Sequence, residues 1–172
     1  MSLPLVWGAT DAESRRPYPA DEVLEGAVVP MTRAVTVLAS PDVTWRWLCQ
    51  LAVAPYSYDW LDNRGHRSPR ELTPGADELR VGQTMITIFE LVSFDPGRQW
   101  TGTISDHRSK RLFGPVAVTY AVEPDPAGAR LVCRIVVVAR SAPARLRARA
   151  LAWGDLVMMR KQLLTLKKLA EG

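Results

Sequence analysis

The chain has 172 residues, 47% of them hydrophobic, which is enough for one domain that buries a core without disulfide bridges. Its 22 lysines and arginines exceed its 18 aspartates and glutamates, giving a net charge of +4. No window approaches the ~18 apolar residues that a membrane span needs, and the N-terminus lacks the pattern of a signal peptide. We therefore expect a cytoplasmic protein without a membrane span.

Cysteine and histidine are too few and too scattered for a metal centre. Cys49 and Cys133 fall in apolar helix and strand patterns, where a free thiol behaves as a small hydrophobe. The sequence contains no phosphate loop, dinucleotide fingerprint or Ser-His-Asp order. We expect no metal and no cofactor.

Residues 1–31 contain four prolines with charges between them and follow neither the helix nor the strand period. They predict an extended N-terminal arm. Leu3, Leu5, Val6 and Trp7 are too many apolar residues for a free tail, so we expect the arm to pack on the domain formed by residues 32–172. A disordered terminus is the alternative.

The domain begins with a strand and two short helices. Thr32–Leu38 is rich in β-branched residues and predicts the strand. Ser40 as N-cap and Pro41 at the first helical position start a helix that ends before Pro55. A second short helix is expected at Tyr58–Leu61.

A surface excursion and two hairpins follow. Arg64–Val81 is interrupted by glycine and proline and predicts the excursion. The first hairpin pairs Gln83–Phe94 with Gln99–Ser105 through the turn DPGR. The second pairs Pro115–Glu123 with Arg130–Arg140 through PDPAGA. The last strand is apolar almost throughout, which indicates that both of its faces are covered.

The only long helical pattern runs from Ser141 to Glu171, with Ser141 as N-cap. At 100° per residue, one apolar stripe forms along it, widened by Trp153, Val157 and Leu164; the stripe consists of Ala152, Leu156, Met159, Leu163, Leu166 and Ala170. This helix is expected to lie against a large apolar surface.

Several segments resemble the polyketide cyclase-related bacterial subgroup of the SRPBCC, or START-like and Bet v 1-like, superfamily. They are TRAVTVLASPDVTWRWLCQL at Thr32–Leu51, YSYDWLDN at Tyr56–Asn63, LRVGQ at Leu79–Gln83, DPGRQW at Asp95–Trp100 and MMRKQLLTLKK at Met158–Lys168. The arm sequence at Trp7–Glu22 is also similar to the leader of one subgroup.

The resemblance implies an α+β helix-grip fold. A curved antiparallel sheet of about six or seven strands would wrap around the C-terminal helix, leaving an apolar cavity between them. Relatives include cyclases, aromatases and carriers of hydrophobic ligands, so the fold alone does not identify an activity. No catalytic residue is shared across the superfamily that could be carried over.

Arg160 is the most informative candidate for a binding residue. On a helical wheel it falls inside the apolar arc near the middle of the final helix, where a cation must pair, snorkel or face a cavity. The alternatives are a structural ion pair, with Asp59 or Glu90 as partner, and a contact with an anionic or carbonyl-bearing ligand. Periodicity leaves open which face of the strand that carries Glu90 points inward.

The remaining candidates are aromatic or apolar. By resemblance, Tyr56, Tyr58 and Trp60 border the mouth of the cavity, and its wall is expected to include Trp100, Trp153, Leu156 and Val157. Tyr58 and His107 are candidates for proton transfer. The alternative is structural: the tyrosines would anchor the loop, the tryptophans would belong to the core, and His107 would be a solvent-exposed loop residue.

These residues support two main hypotheses. The first is binding of a small hydrophobic ligand, with an anionic or carbonyl end, between the sheet and the C-terminal helix. The second is a cyclase or dehydratase that acts in the same cavity. Nucleic-acid binding through the basic helix surface is the least favoured, because cations also suit a solvated helix face. The oligomeric state is left open.

Overall fold

The computed structural model describes residues 3–63 and 65–172. Met1 and Ser2 of the predicted arm and Arg64 of the predicted excursion lie outside the described residues. The strands of the described part are β1 (Val6–Trp7), β2 (Val28–Val37), β3 (Thr84–Met85), β4 (Phe89–Asp95), β5 (Gln99–Ile104), β6 (Val116–Asp125) and β7 (Gly128–Val138). The α-helices are α1 (Asp11–Arg15), α2 (Pro19–Val23), α3 (Pro41–Cys49), α4 (Asp59–Asp62), α5 (His107–Phe113) and α6 (Ala142–Ala170).

The strands form one seven-stranded sheet in the order β1-β2-β7-β6-β5-β4-β3. Every pairing is antiparallel except that of β1 with β2, which is parallel. Helix α6 packs on the inner face of this sheet, where its buried residues join the main core. The predicted helix-grip fold is confirmed.

Both predicted helix starts are confirmed. The Ser40 hydroxyl accepts a hydrogen bond from the Val43 amide at 3.3 Å, and Pro41 is the first residue of α3. The Ser141 hydroxyl accepts one from the Ala144 amide at 3.3 Å. Each cap satisfies a backbone donor that has no partner within the helix, so a local signal is sufficient to fix the boundary.

The strand predicted at Gln83–Phe94 is interrupted, which corrects the sequence interpretation. Ile86 and Thr87 have φ values of 48° and 64°, in the left-handed region, and they separate β3 from β4. The amide of Ile86 donates to the carbonyl of Leu51 at 2.7 Å. A contact with a distant segment therefore overrides the local preference of β-branched residues for an extended strand.

The segment after β5 is also more ordered than predicted. His107 is the first residue of helix α5 rather than part of a loop, because the preceding Asp106 side chain accepts a hydrogen bond from the Ser109 amide at 2.9 Å. This cap places three basic side chains of α5 on the surface: Arg108, Lys110 and Arg111.

The N-terminal arm is not wholly extended, since it includes α1 and α2. Thr10 and Glu13 form a capping box: the Thr10 hydroxyl accepts from the Glu13 amide at 3.2 Å, and the Glu13 carboxylate accepts from the Thr10 amide at 2.6 Å. Pro19 starts α2. Proline therefore opens a helix here instead of preventing one.

Ion pairs hold the arm to the outer face of the sheet. The Arg130 guanidinium donates to both carboxylate oxygens of Glu13, at 2.7 and 2.9 Å. Arg134 donates to Asp21 at 2.9 Å, and Arg16 pairs with Glu123. Arg130 holds the pKa of Glu13 at about 2, well below its usual 4.5.

Both faces of strand β7 are covered, which explains why its sequence is apolar almost throughout. Its inner residues face α6, whereas Val132 and Val136 on the outer face pack with Tyr18 and Ala20 of the arm. At the start of β7, Gly128 has a φ of +140°, and a Cβ there would lie 2.6 Å from the Val37 carbonyl oxygen. Only glycine fits this position.

Candidate functional site

The predicted binding residues separate into an exposed and a buried group. Trp60 is 75% exposed, and Trp153 and Val157 are each 54% exposed on the solvent side of α6. Leu156 lies on the buried side of the same helix. The apolar face of α6 is therefore narrower than predicted: Leu163 and Leu166 belong to the core, whereas the residues expected to widen the stripe do not.

Arg160 is exposed and lies on the arm side of α6, with its guanidinium carbon 5.7 Å from the centre of the Trp7 ring. Neither proposed acidic partner is directed to it. Asp59 accepts hydrogen bonds from the amide and hydroxyl of Ser68 at 2.9 and 2.5 Å. Glu90 is exposed, because Leu91 is the residue of β4 that points into the core.

The tyrosines and histidine also lie apart. Tyr56 is almost fully buried, donates to the Gln50 side chain at 3.5 Å and meets the Trp47 ring edge-on. Burial, followed by the nearby charge of Asp59, raises the pKa of Tyr56 to about 12. Tyr58 is half-buried at the N-cap of α4, and His107 is exposed. These side chains do not converge on one reacting centre.

A different set of side chains forms a line across the inner face of the sheet. Strand register places Arg33 opposite Cys133, Cys133 opposite Tyr120, and Tyr120 opposite Trp100. We call these four residues the transverse row. All four have less than 1% of their surface exposed. Because facing residues of neighbouring strands point to the same side of a sheet, the row crosses four strands beneath α6.

The transverse row is joined directly to α6. Arg33 donates to the Asp155 carboxylate at 3.0 Å and to the Leu5 carbonyl at 2.7 Å. The Tyr120 hydroxyl bonds to the Gln162 side-chain oxygen, and the Gln162 amide donates to the Pro55 carbonyl at 2.6 Å. These contacts connect the sheet directly to α6, so side chains fill the space between sheet and helix along the transverse row.

Burial dominates the electrostatics of the row. It raises the pKa of Asp155, the α6 partner of Arg33, to about 6, although 25% of the Asp155 side chain is exposed. The positive charge of the Arg33 guanidinium lowers this pKa, but by less than burial raises it. Burial also raises the pKa values of the Tyr120 hydroxyl and the Cys133 thiol well above their usual ranges. Both groups therefore stay protonated at neutral pH and are poor nucleophiles.

One member of the row has an unused donor. The Trp100 ring stacks on Tyr120 with centroids 4.7 Å apart, and its indole nitrogen has no hydrogen-bond partner among the described residues. The Nε–H group of Arg33 is also buried without a hydrogen-bond partner among the described residues. A buried donor without a partner costs on the order of 1–3 kcal/mol, so the row is not fully satisfied by the protein alone.

A cleft lies at the edge of the sheet, between β2 and the first turns of α6. It has a volume of about 460 Å³. Its lining is mostly apolar, with two arginines on the helix side, and consists of Leu5, Val28, Val29, Pro30, Ala142, Arg145, Leu146 and Arg149. None of the eight residues predicted from the sequence to bind ligand, all of which the structure describes, lines it.

A second cavity of about 430 Å³ is lined by Leu24, Glu25, Pro115, Val138 and Arg140. It lies near the ends of β6 and β7, and only one arginine borders it. The described residues contain no group of histidine, cysteine and acidic side chains that could hold a metal ion. No helix in the described ranges is long and apolar enough to cross a membrane.

The transverse row was not predicted from the sequence, although two charged residues in apolar patterns indicate it. Arg33 is a charged residue at an inward-facing position of a strand whose other inward residues are apolar, and Asp155 interrupts the apolar half of the final helix. The cleft left a weaker signal, because its two sides come from separate parts of the chain. Only the spacing of Arg145 and Arg149, one helical turn apart, was visible in advance.

Comparison with known proteins identifies the architecture. No protein-family model matches the sequence, and no curated protein matches it significantly. The crystal structure of protein MLL2253 from Mesorhizobium loti is similar with a TM-score of 0.53 at 17% identity, over 81% of this chain and 95% of that one.

Two further structures carry the same fold. Ara h 8.0201 has a TM-score of 0.51 at 8% identity, covering 84% of this chain and 98% of its own. The di-domain ARO/CYC StfQ from the steffimycin biosynthetic pathway has a TM-score of 0.51 at 16% identity, over 84% of this chain and 51% of StfQ. The chain therefore has the helix-grip fold that these three solved structures share.

Proposed function

We propose that the protein binds a small hydrophobic ligand with an anionic or carbonyl end in the cleft between β2 and α6. The observation that carries this proposal is the lining of the cleft, which combines an apolar wall with two arginines. Its volume of about 460 Å³ lies within the range of small-molecule sites. A ligand with an apolar body and one charged or polar end matches both parts.

The apolar part would be bound by removal from water. Leu5, Val29 and Leu146 line the cleft, and burial of apolar surface against them contributes roughly 25 cal/mol per Å². This term depends on contact area and not on chemical identity. The cleft is therefore expected to accept several ligands of similar size.

The arginines would determine the charge of the ligand. Arg145 and Arg149 are four residues apart on α6, so their side chains project from the same side of the helix. Both are exposed, and the ion pairs among the described residues include neither. Guanidinium groups that are free in this way can donate two parallel hydrogen bonds to a carboxylate.

This proposal moves the polar end of the ligand from Arg160 to the first turns of α6. The interior near Trp100 is bridged by the contacts of the transverse row, whereas the cleft is open. A role for Arg160 in ligand binding stays a prediction, which Arg160→Met tests: lost binding with the fold kept would support it.

The proposal is tested with a fluorescent fatty acid and the fatty alcohol of the same chain. The wild-type protein should bind both, and it should bind the acid more tightly. Arg145→Gln with Arg149→Gln should weaken binding of the acid about tenfold or more and leave the alcohol nearly unchanged. Arg67→Gln with Arg70→Gln, at two exposed positions outside the cleft, is the matched control. Absence of binding, or equal loss for acid and alcohol, would contradict the proposal.

An enzyme of the cyclase or dehydratase type is the alternative. It needs a proton donor or acceptor at the ligand, and neither Tyr58 nor His107 lines the cleft. Tyr120 is in the interior, but its hydroxyl is committed to Gln162. The geometry therefore favours binding over catalysis.

A further inference from the structure

The positive charge of the protein is concentrated in two short segments. Residues 107–115 hold three basic side chains and residues 140–149 hold four, and neither segment contains an acidic residue. Of the 22 basic residues in the chain, seven are therefore here, leaving 15 against 18 acidic ones, a net charge of −3. The net charge of +4 comes entirely from these two segments.

The two segments lie together at one end of the molecule. The amide of Val138 donates to the carbonyl of Pro115 at 3.1 Å, which joins the end of β7 to the second residue after α5. A Cβ on Gly114 would lie 3.6 Å from the Arg147 guanidinium. We call the surface formed by residues 107–115 and 140–149 the basic end.

The exposed Asp106 at the N-cap of α5 is next to the basic end and interacts with Arg108, but it forms no ion pair with the cations of the basic end within the described ranges. All seven are exposed, and none takes part in an ion pair there. Several basic residues elsewhere do pair with carboxylates, among them Arg16, Arg33, Arg130 and Arg134. The basic end therefore offers a strong net positive charge to an external partner.

Large apolar side chains are exposed among these cations. Leu112 of α5 is 62% exposed, and Leu146 of α6 is 72% exposed. Trp153 and Val157 follow Leu146 at spacings of seven and eleven residues, which continues the same solvent-facing stripe along α6. Apolar side chains flanked by arginine and lysine are typical of a surface that lies in the headgroup region of a bilayer.

We propose that the basic end docks on an anionic lipid bilayer. Its arginines and lysines would contact the phosphates and carboxylates of the headgroups, and Leu112 and Leu146 would enter the boundary with the acyl chains. A second copy of the chain would bring two positive surfaces together and is disfavoured. The phosphates of a nucleic acid could pair with the cations, but Leu112 and Leu146 would remain exposed to water.

This inference does not depend on the proposed ligand, although the two surfaces are adjacent. Four residues that line the cleft also belong to the basic end: Ala142, Arg145, Leu146 and Arg149. Docking would therefore bring the mouth of the cleft to the bilayer surface. Helix α5 lines neither of the two cavities, so substitutions in α5 test docking without altering the proposed binding site.

The experiment measures co-sedimentation with vesicles of roughly one part phosphatidylserine to three parts phosphatidylcholine, and with vesicles of phosphatidylcholine alone. The wild-type protein should bind only the first, and binding should fall as the salt concentration is raised from about 0.1 M to about 0.5 M. Arg108→Gln, Lys110→Gln and Arg111→Gln together should weaken binding about 100-fold, since each cation near the surface contributes about fivefold. Leu112→Ser alone should weaken it about tenfold.

The matched control replaces Arg67, Arg70 and Arg80 with glutamine. These three exposed arginines lie outside the basic end, and their replacement changes the net charge equally. Circular dichroism should show that all variants are folded, and each should retain wild-type binding of the fatty acid. Equal loss in both triple variants, no effect of Leu112→Ser, or binding to duplex DNA but not to the anionic vesicles would overturn the docking proposal.

Discussion

Replacing Asp155 with asparagine is expected to change how the free energy of unfolding depends on pH. Burial raises the pKa of Asp155 from 3.8 to about 6 in the folded chain. Between about pH 4 and pH 6, the folded state then holds a proton that the unfolded state has released. The stability that Asp155 contributes is therefore fully present below about pH 4 and is lost as the pH rises through 6.

The size of this effect follows from the shift. A change of about two pKa units, at 1.36 kcal/mol per unit, corresponds to about 3 kcal/mol between acidic and neutral pH. Asparagine keeps an oxygen that can accept the hydrogen bond from Arg33 but cannot ionise. The variant should consequently lack this part of the pH dependence.

Urea unfolding of both proteins, followed by circular dichroism from about pH 4 to about pH 7.5, measures the difference. The free energy of unfolding of the wild type minus that of the variant should fall by about 2.5 kcal/mol across this range, because part of the effect lies below pH 4. Asp95→Asn, at an exposed position, should give a nearly constant difference. A difference that rises with pH would refute the reasoning, because it would mean that attraction to Arg33 outweighs the cost of burial.

Three further predictions concern the arm, one turn and one thiol. Glu13→Gln should cost about 2 kcal/mol at pH 7 and remove the loss of stability expected as the pH falls from 4.5 to about 2, as measured by acid unfolding. Gly128→Ala should lower thermal stability by about 2–3 kcal/mol because its Cβ meets backbone, whereas Gly97→Ala, with φ +77° and open space, should cost only about 1 kcal/mol. Cys133, fully buried with a raised pKa, should react with iodoacetamide only after unfolding, which mass spectrometry detects; labelling of the native protein would contradict this.

The fold was predictable because its main signals are local. Ser40 and Ser141 mark helix starts, and the turn at Asp95–Arg98 joins two strands, each through groups within a few residues of one another. The break at Ile86 and Thr87 was not predictable in this way. It depends on the hydrogen bond between Ile86 and Leu51, which belongs to a separate part of the chain.

The candidate site was much less predictable. The helical wheel placed Arg160 in an apolar arc, but that side of α6 faces Trp7 and solvent. The transverse row depends on the register of strands as distant as those of Arg33 and Cys133. Periodicity gives the phase of one strand but not its alignment with a strand from another region.

The arm and the final helix are held on opposite faces of one sheet by charges that respond to acid in opposite directions. Protonation of Asp155 removes a buried charge and so strengthens the attachment of α6. Arg130 holds α1 through the ionised carboxylate of Glu13, so protonation of Glu13 weakens this attachment. As the pH falls towards about 2, α1 should therefore detach from the outer face of the sheet first, while α6 stays packed on the inner face.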